Sequence, residues 1–326
     1  MIISRTPLRM SFVGGGSDLP SYYKRNGGAV LSTAIAKYMY VTVNKKFDDK
    51  IRLSYSITEN VESLDHLKHP IAKNTLEMMG IRGGVEITSI SDIPSQGSGL
   101  GSSSSYTVAL LHALHKYKGI EISKEELGRL SSHIEINLCG ENIGKQDQYA
   151  AAFGGLNFIE FNEDDSVNVE PVIIKANTLQ KIEESIIVFY TGRSRNASSI
   201  LNYQSEIIVQ PKKSELMSRM VSLAYDMKEM LENDSLDSFG ELLDKNWKLK
   251  RQISSDISDI QIDDLYKKGL NAGAQGGKLL GAGKGGFIMF FAPKEKHTDI
   301  IKAMADLKKM DFSFDMSGSK IVYSDS

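Results

Sequence analysis

The sequence predicts an α+β protein built from two lobes, and three features carry this prediction. In the first half, short runs of β-branched and aromatic residues alternate with segments whose apolar residues recur about every 3.6 positions. After about residue 180, helical segments dominate. Each half also has a glycine-rich segment next to a predicted strand. With 326 residues the chain can form two ordinary domains, which we place at residues 1–178 and 179–326.

The first half contains the clearest local signals. Apolar residues at helical spacing predict a helix over residues 102–117. Ser123 followed by Glu126 has the spacing of a capping box and predicts the start of a second helix. A third, short helix is expected over residues 147–153, because two glycines follow it. Strands are predicted at residues 2–4, 9–13, 39–43, 51–55 and 85–90.

The second half is less regular in its spacing. A buried strand is predicted over residues 186–190. A second strand over residues 287–291 follows a glycine-rich segment at residues 276–286. Helices are predicted at residues 214–233, 236–252 and 263–272.

Composition excludes several classes of function. Apolar residues make up 41% of the chain and charged residues 25%, with a net charge of −2, so no basic surface for nucleic acid is expected. Cys139 is the only cysteine, which rules out intramolecular disulfides and cysteine-built metal sites. The apolar runs SIIVFY and FIMFFA are far shorter than the roughly 20 residues of a membrane helix, and no signal peptide is recognisable. We therefore expect a cytoplasmic protein without a membrane partner.

The most informative stretch follows the strand predicted to end at residue 90. It contains Gly97-Ser98-Gly99-Leu100-Gly101 and continues with Ser102, Ser103 and Ser104 at the start of a helix. Glycines let the backbone curl so that its N–H groups converge, and the helix N-terminus adds free donors and a positive dipole end. The pattern predicts a phosphate-binding loop, although no Lys-Ser or Lys-Thr of a Walker loop is present. The alternative, a flexible linker, fits poorly between a strand and a helix.

A second glycine segment, residues 281–286, matches the dinucleotide pattern G-x-G-x-x-G. A dinucleotide site requires a helix after the glycines, whereas a strand is predicted here. We interpret the segment as a turn that packs closely against another part of the chain, such as the first loop. A purely structural turn remains an alternative.

Two acidic residues are candidates for chemistry. Glu135 borders the apolar stripe of the second helix, and Asp147 begins the third, where the dipole favours a carboxylate. Each alone could be an ordinary helix residue. The N-terminal stretch RTPLRMSFVGGGSD also has two interpretations. Its glycine turn before Asp18 indicates either a ligand-binding site or an ordinary hairpin.

Three stretches resemble the GHMP kinases, a family that includes galactokinase, homoserine kinase, mevalonate kinase and phosphomevalonate kinase. Residues 94–103 resemble the family's P-x-G-x-G-L-G-S-S loop, with one extra residue after the proline. Residues 280–286 resemble its C-terminal turn, with Lys284 where glycine is usual. Arg9 and Asp18 have the spacing of the N-terminal motif in the sugar-kinase branch.

The resemblance implies a fold and a set of roles. The N-terminal lobe would be like ribosomal protein S5 domain 2, and the C-terminal lobe would be ferredoxin-like. ATP phosphates would lie on the loop at residues 94–104, and Ser103 and Glu135 would hold Mg²⁺. Asp147 would orient the attacking hydroxyl, and Arg9 would lie near the transferring phosphoryl group.

The resemblance also implies a sugar substrate. The position of Asp18 binds sugar hydroxyls in this family, while Gly15 and Gly16 stand where galactokinases carry glutamate and histidine, which makes galactose a poor candidate. The N-terminal stretch and FYTGRSR resemble a narrower group that phosphorylates the anomeric hydroxyl of a heptose 7-phosphate, and fucokinases share part of the pattern. Arg193 and Arg195 are expected to hold the second phosphate, although they could be solvated surface residues. Gly283 is expected on the substrate side of its turn.

Two other classes of function stay open on the sequence alone. An NAD-dependent oxidoreductase would rest on residues 281–286, but it lacks the helix that such a site needs. A non-catalytic sugar sensor with the same fold would keep the glycine loops and lose the acidic pair, and both Glu135 and Asp147 are present. A homodimer is compatible with the sequence, which does not determine the oligomeric state.

Overall fold

Helices and strands follow one another along the whole chain. The structure, a computed structural model, describes residues 1–93, 97–193 and 197–325, with only the backbone described at 197–199. The strands are β1 (Ile2–Val13), β2 (Gly28–Lys45), β3 (Ile51–Ser54), β4 (Thr58–Val61), β5 (Val85–Ser91), β6 (Leu156–Phe161), β7 (Val167–Pro171), β8 (Ile186–Tyr190), β9 (Gly276–Leu279), β10 (Phe287–Phe291), β11 (Lys308–Met310) and β12 (Lys320–Ser324). The helices are α1 (Pro20–Asn26), α2 (Pro70–Met78), α3 (Ser102–Tyr117), α4 (Lys124–Ser132), α5 (Gln146–Phe153), α6 (Ala176–Ser185), α7 (Ala197–Ile207), α8 (Pro211–Glu232), α9 (Phe239–Ile253), α10 (Ile260–Asn271) and α11 (His297–Ala303).

The larger sheet is built around the antiparallel pair β1 and β2. Its strands lie in the order β12-β1-β2-β5-β3-β4, and β6 joins the first part of β2 while β7 pairs with β6. Helices α3 and α5 pack against β1 and β2. As a result, the N-terminus of α3 and the start of α5 lie over the same central strands.

Strand β1 is one continuous strand, whereas the sequence predicted two separate strands at residues 2–4 and 9–13. It runs unbroken from Ile2 to Val13, through Pro7. The register against β2 shifts between Pro7 and Leu8. A proline, which has no N–H to donate, is tolerated in a sheet at such an irregularity. The extended β1 carries Arg9 to the middle of the sheet.

The smaller sheet is antiparallel, in the order β11-β8-β10-β9. Strands β8 and β10 have the predicted bounds, whereas β9 lies inside the segment predicted only as glycine-rich. Helix α9 packs against β9. The placement of the lobes at 1–178 and 179–326 stays a prediction, with one correction: β12 pairs with β1, so the last strand lies in the sheet of the first lobe.

An apolar core continues from one lobe into the other. Leu8 and Phe12 of β1 are fully buried in the same cluster as Phe239 and Trp247 of α9. The rings of Phe12 and Phe239 meet edge to face, with centroids 5.3 Å apart. This shared packing fixes α9 against β1. In the described part of the chain, none of the helices has the length and apolar character needed to cross a bilayer.

Candidate active site

The start of α3 and the loop before it form one wall of a cleft of about 250 Å³. Helix α3 begins at Ser102, as predicted, and its N-cap Gly101 has a φ of 76°, a left-handed conformation that favours glycine. The Ser98 and Ser102 hydroxyls are hydrogen-bonded at 2.8 Å, and Ser98 Oγ also accepts the Leu100 N–H at 3.3 Å. These bonds hold the loop in place, so that the unpaired N–H groups of the first helical turn adjoin the cleft.

The two glycine-rich segments touch each other at the cleft. A Cβ added to Gly281 would lie 2.4 Å from Gly99 Cα, and one added to Gly99 would lie 2.3 Å from the Leu280 carbonyl oxygen. A Cβ at Gly286 would lie 2.4 Å from the Ser98 carbonyl oxygen. The expectation that the second turn packs against the first loop is therefore met, and side chains at these positions would force the two segments apart.

Arg9 and Asp147 form an ion pair that lines the cleft, with Arg9 buried and Asp147 partly exposed. Arg9 is 4% exposed, and its Nε and Nη2 donate to the two carboxylate oxygens of Asp147, each at 2.7 Å. Its Nη1 donates to the Gly99 carbonyl oxygen, also at 2.7 Å. Such a two-pronged contact fixes the orientation of both groups. Asp147 is thereby held beside the phosphate-binding loop.

Asp18 lines the same cleft beside the start of α5. Its Oδ1 accepts the Gly16 N–H at 2.9 Å, and its Oδ2 accepts the Gln146 N–H at 3.1 Å. Burial, together with the nearby charge of Asp147, raises the pKa of Asp18, although the backbone donors act in the opposite direction. Gly144 packs directly on this carboxylate, since a Cβ there would lie 1.8 Å from Asp18 Oδ2.

Glu135 lies where α4 continues into a π-helical turn, His133–Leu138. Its Oε1 accepts the Ser103 hydroxyl at 3.1 Å, and its Oε2 accepts Gln148 Nε2 at 2.5 Å. The residue is 1% exposed, and burial raises the pKa of Glu135 to about 7. Widened turns of this kind are frequent at functional sites. The predicted acidic pair, Glu135 and Asp147, therefore lines one cleft.

Comparison with known proteins identifies the family. One family model, the GHMP kinases N terminal domain, matches residues 65–155, and another, the GHMP kinases C terminal, matches residues 227–309. The chain is 32% identical to the D-glycero-alpha-D-manno-heptose 7-phosphate kinase of Campylobacter jejuni, with 98% of each chain covered. The chain belongs to the GHMP kinase family.

Further relatives support this assignment. A crystal structure of a D-glycero-D-manno-heptose 1-phosphate kinase from Bacteroides thetaiotaomicron matches the whole of both chains with a TM-score of 0.83 and 27% identity. The bifunctional fucokinase/GDP-fucose pyrophosphorylase of Arabidopsis thaliana is 26% identical over 88% of this chain and 29% of its own. The two-lobed α+β prediction is confirmed as the GHMP kinase fold, and the protein is a phosphotransferase that uses ATP and a hydroxyl acceptor.

The oxygen atoms around Glu135 fit the magnesium ion that the resemblance to GHMP kinases implies. Ser103 supplies a hydroxyl and Glu135 a carboxylate, and Mg²⁺ prefers hard oxygen ligands of this kind. A buried carboxylate with a raised pKa also gains from a bound cation. In the described part of the chain, no group of three or more His, Cys, Asp or Glu side chains is arranged to hold a metal. Oxygens of the nucleotide would complete the coordination.

Most of the predicted site residues of this GHMP kinase line the cleft. They are Arg9, Asp18, Glu135, Asp147 and residues 15–16, 97–99 and 101–104. Leu100 was also predicted to bind ATP, but its side chain is fully buried in the core. Its carbonyl oxygen accepts the backbone N–H of Arg9 at 3.0 Å. Gly283 was predicted on the substrate side of its turn, but a Cβ there would lie 2.7 Å from the Ile257 carbonyl oxygen. This close contact indicates a packing role.

The two arginines predicted for the second phosphate have different outcomes. Arg193 Nη1 donates to Asp259 at 2.8 Å and to Gln261 at 2.9 Å, contacts that hold its guanidinium at the start of α10. Because its charge is engaged there, the structure does not support Arg193 as a substrate ligand. Arg195 lies outside the described residues.

Several lining residues of the cleft were missed in the sequence. Lys250 of α9 and Lys278 of β9 are 6% and 1% exposed, and Gln204 of α7 is 1% exposed. The Gln204 side-chain nitrogen has no hydrogen-bond partner in the described part of the chain. Lys250 gave one signal, because it falls on the apolar stripe of α9, where a charged residue is unusual.

Proposed function

We propose that this GHMP kinase transfers the γ-phosphoryl group of ATP to the anomeric hydroxyl of D-glycero-α-D-manno-heptose 7-phosphate and forms the 1,7-bisphosphate. The anomeric oxygen forms a bond to the γ-phosphorus as the bond between that phosphorus and its bridging oxygen to ADP breaks. ADP leaves, and the proton of the hydroxyl is released. Such a reaction needs positioning and charge neutralisation more than covalent chemistry. The cleft residues are assigned to these two tasks.

The nucleotide is assigned to the N-terminus of α3. Its phosphates would accept hydrogen bonds from the backbone of residues 97–101 and from the first turn of α3, including Ser102, Ser103 and Ser104. A second cavity of about 550 Å³ begins at Ser102 and Ser103 and is lined by Tyr55, His69 and Tyr106. The aromatic rings there favour a flat, apolar ligand, so this cavity is the proposed place of the nucleotide base.

The acceptor is assigned to the space between Asp18 and Asp147. A carboxylate has about four lone-pair sites, so Asp147 can accept the anomeric hydroxyl while both of its oxygens bind Arg9. Asp147 would orient the hydroxyl toward the γ-phosphorus, and Arg9 would neutralise charge there. Asp18, Gly15 and Gly16 would bind the other sugar hydroxyls, and the unpartnered amide nitrogen of Gln204 faces Gly16.

Mg²⁺ is assigned to Ser103 and Glu135, where it would neutralise phosphate charge. In its absence, burial raises the pKa of Glu135 to about 7, and the Ser103 hydroxyl donates to that carboxylate. Gln148 holds the other carboxylate oxygen, which keeps the side chain aimed at the start of α3. These contacts support a fixed acidic ligand beside the phosphates.

The heptose 7-phosphate is the proposed acceptor because the relative that carries that name is similar over nearly the full length of both chains. The fucokinase relative is more distant and is similar to only part of its own length. The second phosphate carries nearly two negative charges at neutral pH. Arg195 remains the proposed ligand for it. We further propose that the enzyme acts in the cytoplasm, where ATP is available, and that it can form a homodimer.

The observation that carries the proposal is the paired Arg9 and Asp147 beside the predicted phosphate-binding loop, in a cleft that Asp18 also lines. The test is ATP turnover with a set of acceptors: the heptose 7-phosphate, the unphosphorylated heptose, the heptose 1-phosphate, L-fucose and galactose. The heptose 7-phosphate should give the highest kcat/KM, and the 1-phosphate should be inert because its anomeric oxygen is blocked. A higher kcat/KM with L-fucose would show a fucokinase, and no turnover with any sugar would contradict the proposal.

A further inference from the structure

Two buried lysines line the cleft on the side of the second lobe, and the roles above use neither. Lys250 Nζ donates to the Gly281 carbonyl oxygen at 2.8 Å, and Lys278 Nζ donates to the Phe12 carbonyl oxygen at 2.9 Å. Within the described ranges, neither ammonium lies in a salt bridge with a carboxylate. An ammonium has three donors, so charged Lys250 retains two after its bond to Gly281. A buried cation in this state is compensated when an anion binds beside it.

The two lysines differ in charge. Burial, together with the charges of Lys250 and Arg9, holds the pKa of Lys278 well below its usual range, which favours the neutral amine. Burial lowers the pKa of Lys250 only to about 8, because the carboxylates of Asp18 and Asp147 oppose the effect of Arg9. At neutral pH, Lys250 is therefore the one of the two that carries most of the charge.

Lys250 is also anchored at the second glycine turn, which packs on the predicted phosphate-binding loop. Its carbonyl partner belongs to Gly281, whose Cα abuts Gly99. Arg9 donates to the carbonyl oxygen of that same Gly99. Lys250 from the second lobe is therefore held next to the residue that Arg9 from the first lobe contacts directly. The charge of Arg9 is already matched by Asp147, whereas that of Lys250 is not.

We propose that Lys250 is a catalytic residue whose ammonium contacts the γ-phosphoryl group of ATP during transfer. This inference rests on the proposed function, because it takes the phosphoryl group to lie between the phosphate-binding loop and Asp147. The phosphoryl oxygens carry the charge that spreads in the transition state, and a fixed, buried cation stabilises that charge strongly. Lys278 is assigned no contact with the phosphoryl group.

The first test measures binding and needs no acceptor. Dissociation constants for AMP-PNP and ADP with Mg²⁺ are measured by calorimetry for the wild type, K250M and the control K248M. Lys248 lies on the same helix, but its side chain is 62% exposed and pairs with Asp244 at 2.6 Å. K250M should weaken AMP-PNP binding by about ten- to a hundredfold, the size of one charged hydrogen bond, and should leave ADP binding within about threefold. K248M should match the wild type.

The second test measures turnover with any acceptor that the wild type phosphorylates. K250M should lower kcat by about 10²–10³-fold. Because the charged form of Lys250 is the active one, kcat/KM of the wild type should fall as the pH rises through about 8, and K250M should lack this fall. Methionine keeps the aliphatic stem, and K250Q replaces K250M if thermal melting shows that the latter is unfolded.

Three results would overturn the inference. K250M could keep its preference for AMP-PNP over ADP, or it could lose affinity for both equally, which would indicate a structural role. It could also change only the KM of the acceptor, in which case Lys250 holds a phosphate of the sugar. A wild type that fails to phosphorylate any heptose would contradict the proposed function, while the nucleotide-binding comparison would still decide the role of Lys250.

Discussion

Replacing Asp147 with asparagine separates its catalytic role from its structural one. In D147N, one carboxylate oxygen that accepts from Arg9 at 2.7 Å becomes an amide nitrogen facing another donor. Arg9 is buried, and in D147N it loses the negative charge of the carboxylate that compensates its own. Losing one charged hydrogen bond should lower the free energy of unfolding by about 1.5–3 kcal/mol. Losing the carboxylate that orients the hydroxyl should lower kcat by about two to four orders of magnitude.

The assay combines ADP release at saturating substrates with urea unfolding. The matched control is D263N, since Asp263 accepts from Arg251 at 2.5 Å and its side chain is 24% exposed, compared with 25% for Asp147. D263N should lose similar stability and keep kcat within about threefold of the wild type. The KM for ATP should change little in either variant. The reasoning is refuted if D147N retains near-normal turnover, or if D263N is equally inactive.

Three further predictions concern the metal, the sugar and the second phosphate. E135A should raise the Mg²⁺ concentration for half-maximal rate, because one hard oxygen ligand is lost, and an unchanged Mg²⁺ titration would place the ligands elsewhere. G144A should raise the acceptor KM and lower the melting temperature, since its Cβ would lie 1.8 Å from Asp18 Oδ2; a wild-type KM would show that Asp18 does not bind the sugar. R195A should raise the KM for the heptose 7-phosphate by about ten- to a hundredfold. R193A should leave that KM unchanged, and the opposite pattern would restore Arg193 to the site.

Local signals in the sequence predicted the parts of the fold that depend on near neighbours. Helix α3 begins at Ser102 because a glycine turn and four serines precede an apolar stripe. Ser123 Oγ accepts the Glu126 N–H at 3.1 Å, as its spacing indicated, although the Glu126 carboxylate pairs with Arg129 instead of closing the capping box. Such elements are set by interactions a few residues apart.

Other elements depend on contacts that a single sequence does not display. The first part of β2 was missed because its small and apolar residues show no alternation, and its pairing with β6 is what makes it a strand. Strand β12 is stabilised by pairing with the distant β1. A strand defined by its partner has only a weak signal of its own.

The site shows the same division. Local motifs predicted the phosphate-binding loop and Asp147, but the contact between Arg9 and Asp147 joins residues 138 positions apart and was not predicted. The ion pair of Arg193 with Asp259 also joins residues that are distant in the sequence, so no local motif indicated it. Of the cleft residues that were missed, Lys250 alone could have been predicted from the sequence, because it stands on the apolar stripe of α9.

The most direct test of the central claim is identification of the product. The wild type is incubated with ATP, Mg²⁺ and D-glycero-α-D-manno-heptose 7-phosphate, and the mixture is followed by ³¹P and ¹H NMR. We expect a second sugar phosphorus signal that is coupled to the anomeric proton, in step with ADP formation, and no such signal with D147N. A new phosphate coupled to any other carbon-bound proton, or ADP formed without a sugar bisphosphate, would contradict the assignment of the anomeric hydroxyl as the acceptor.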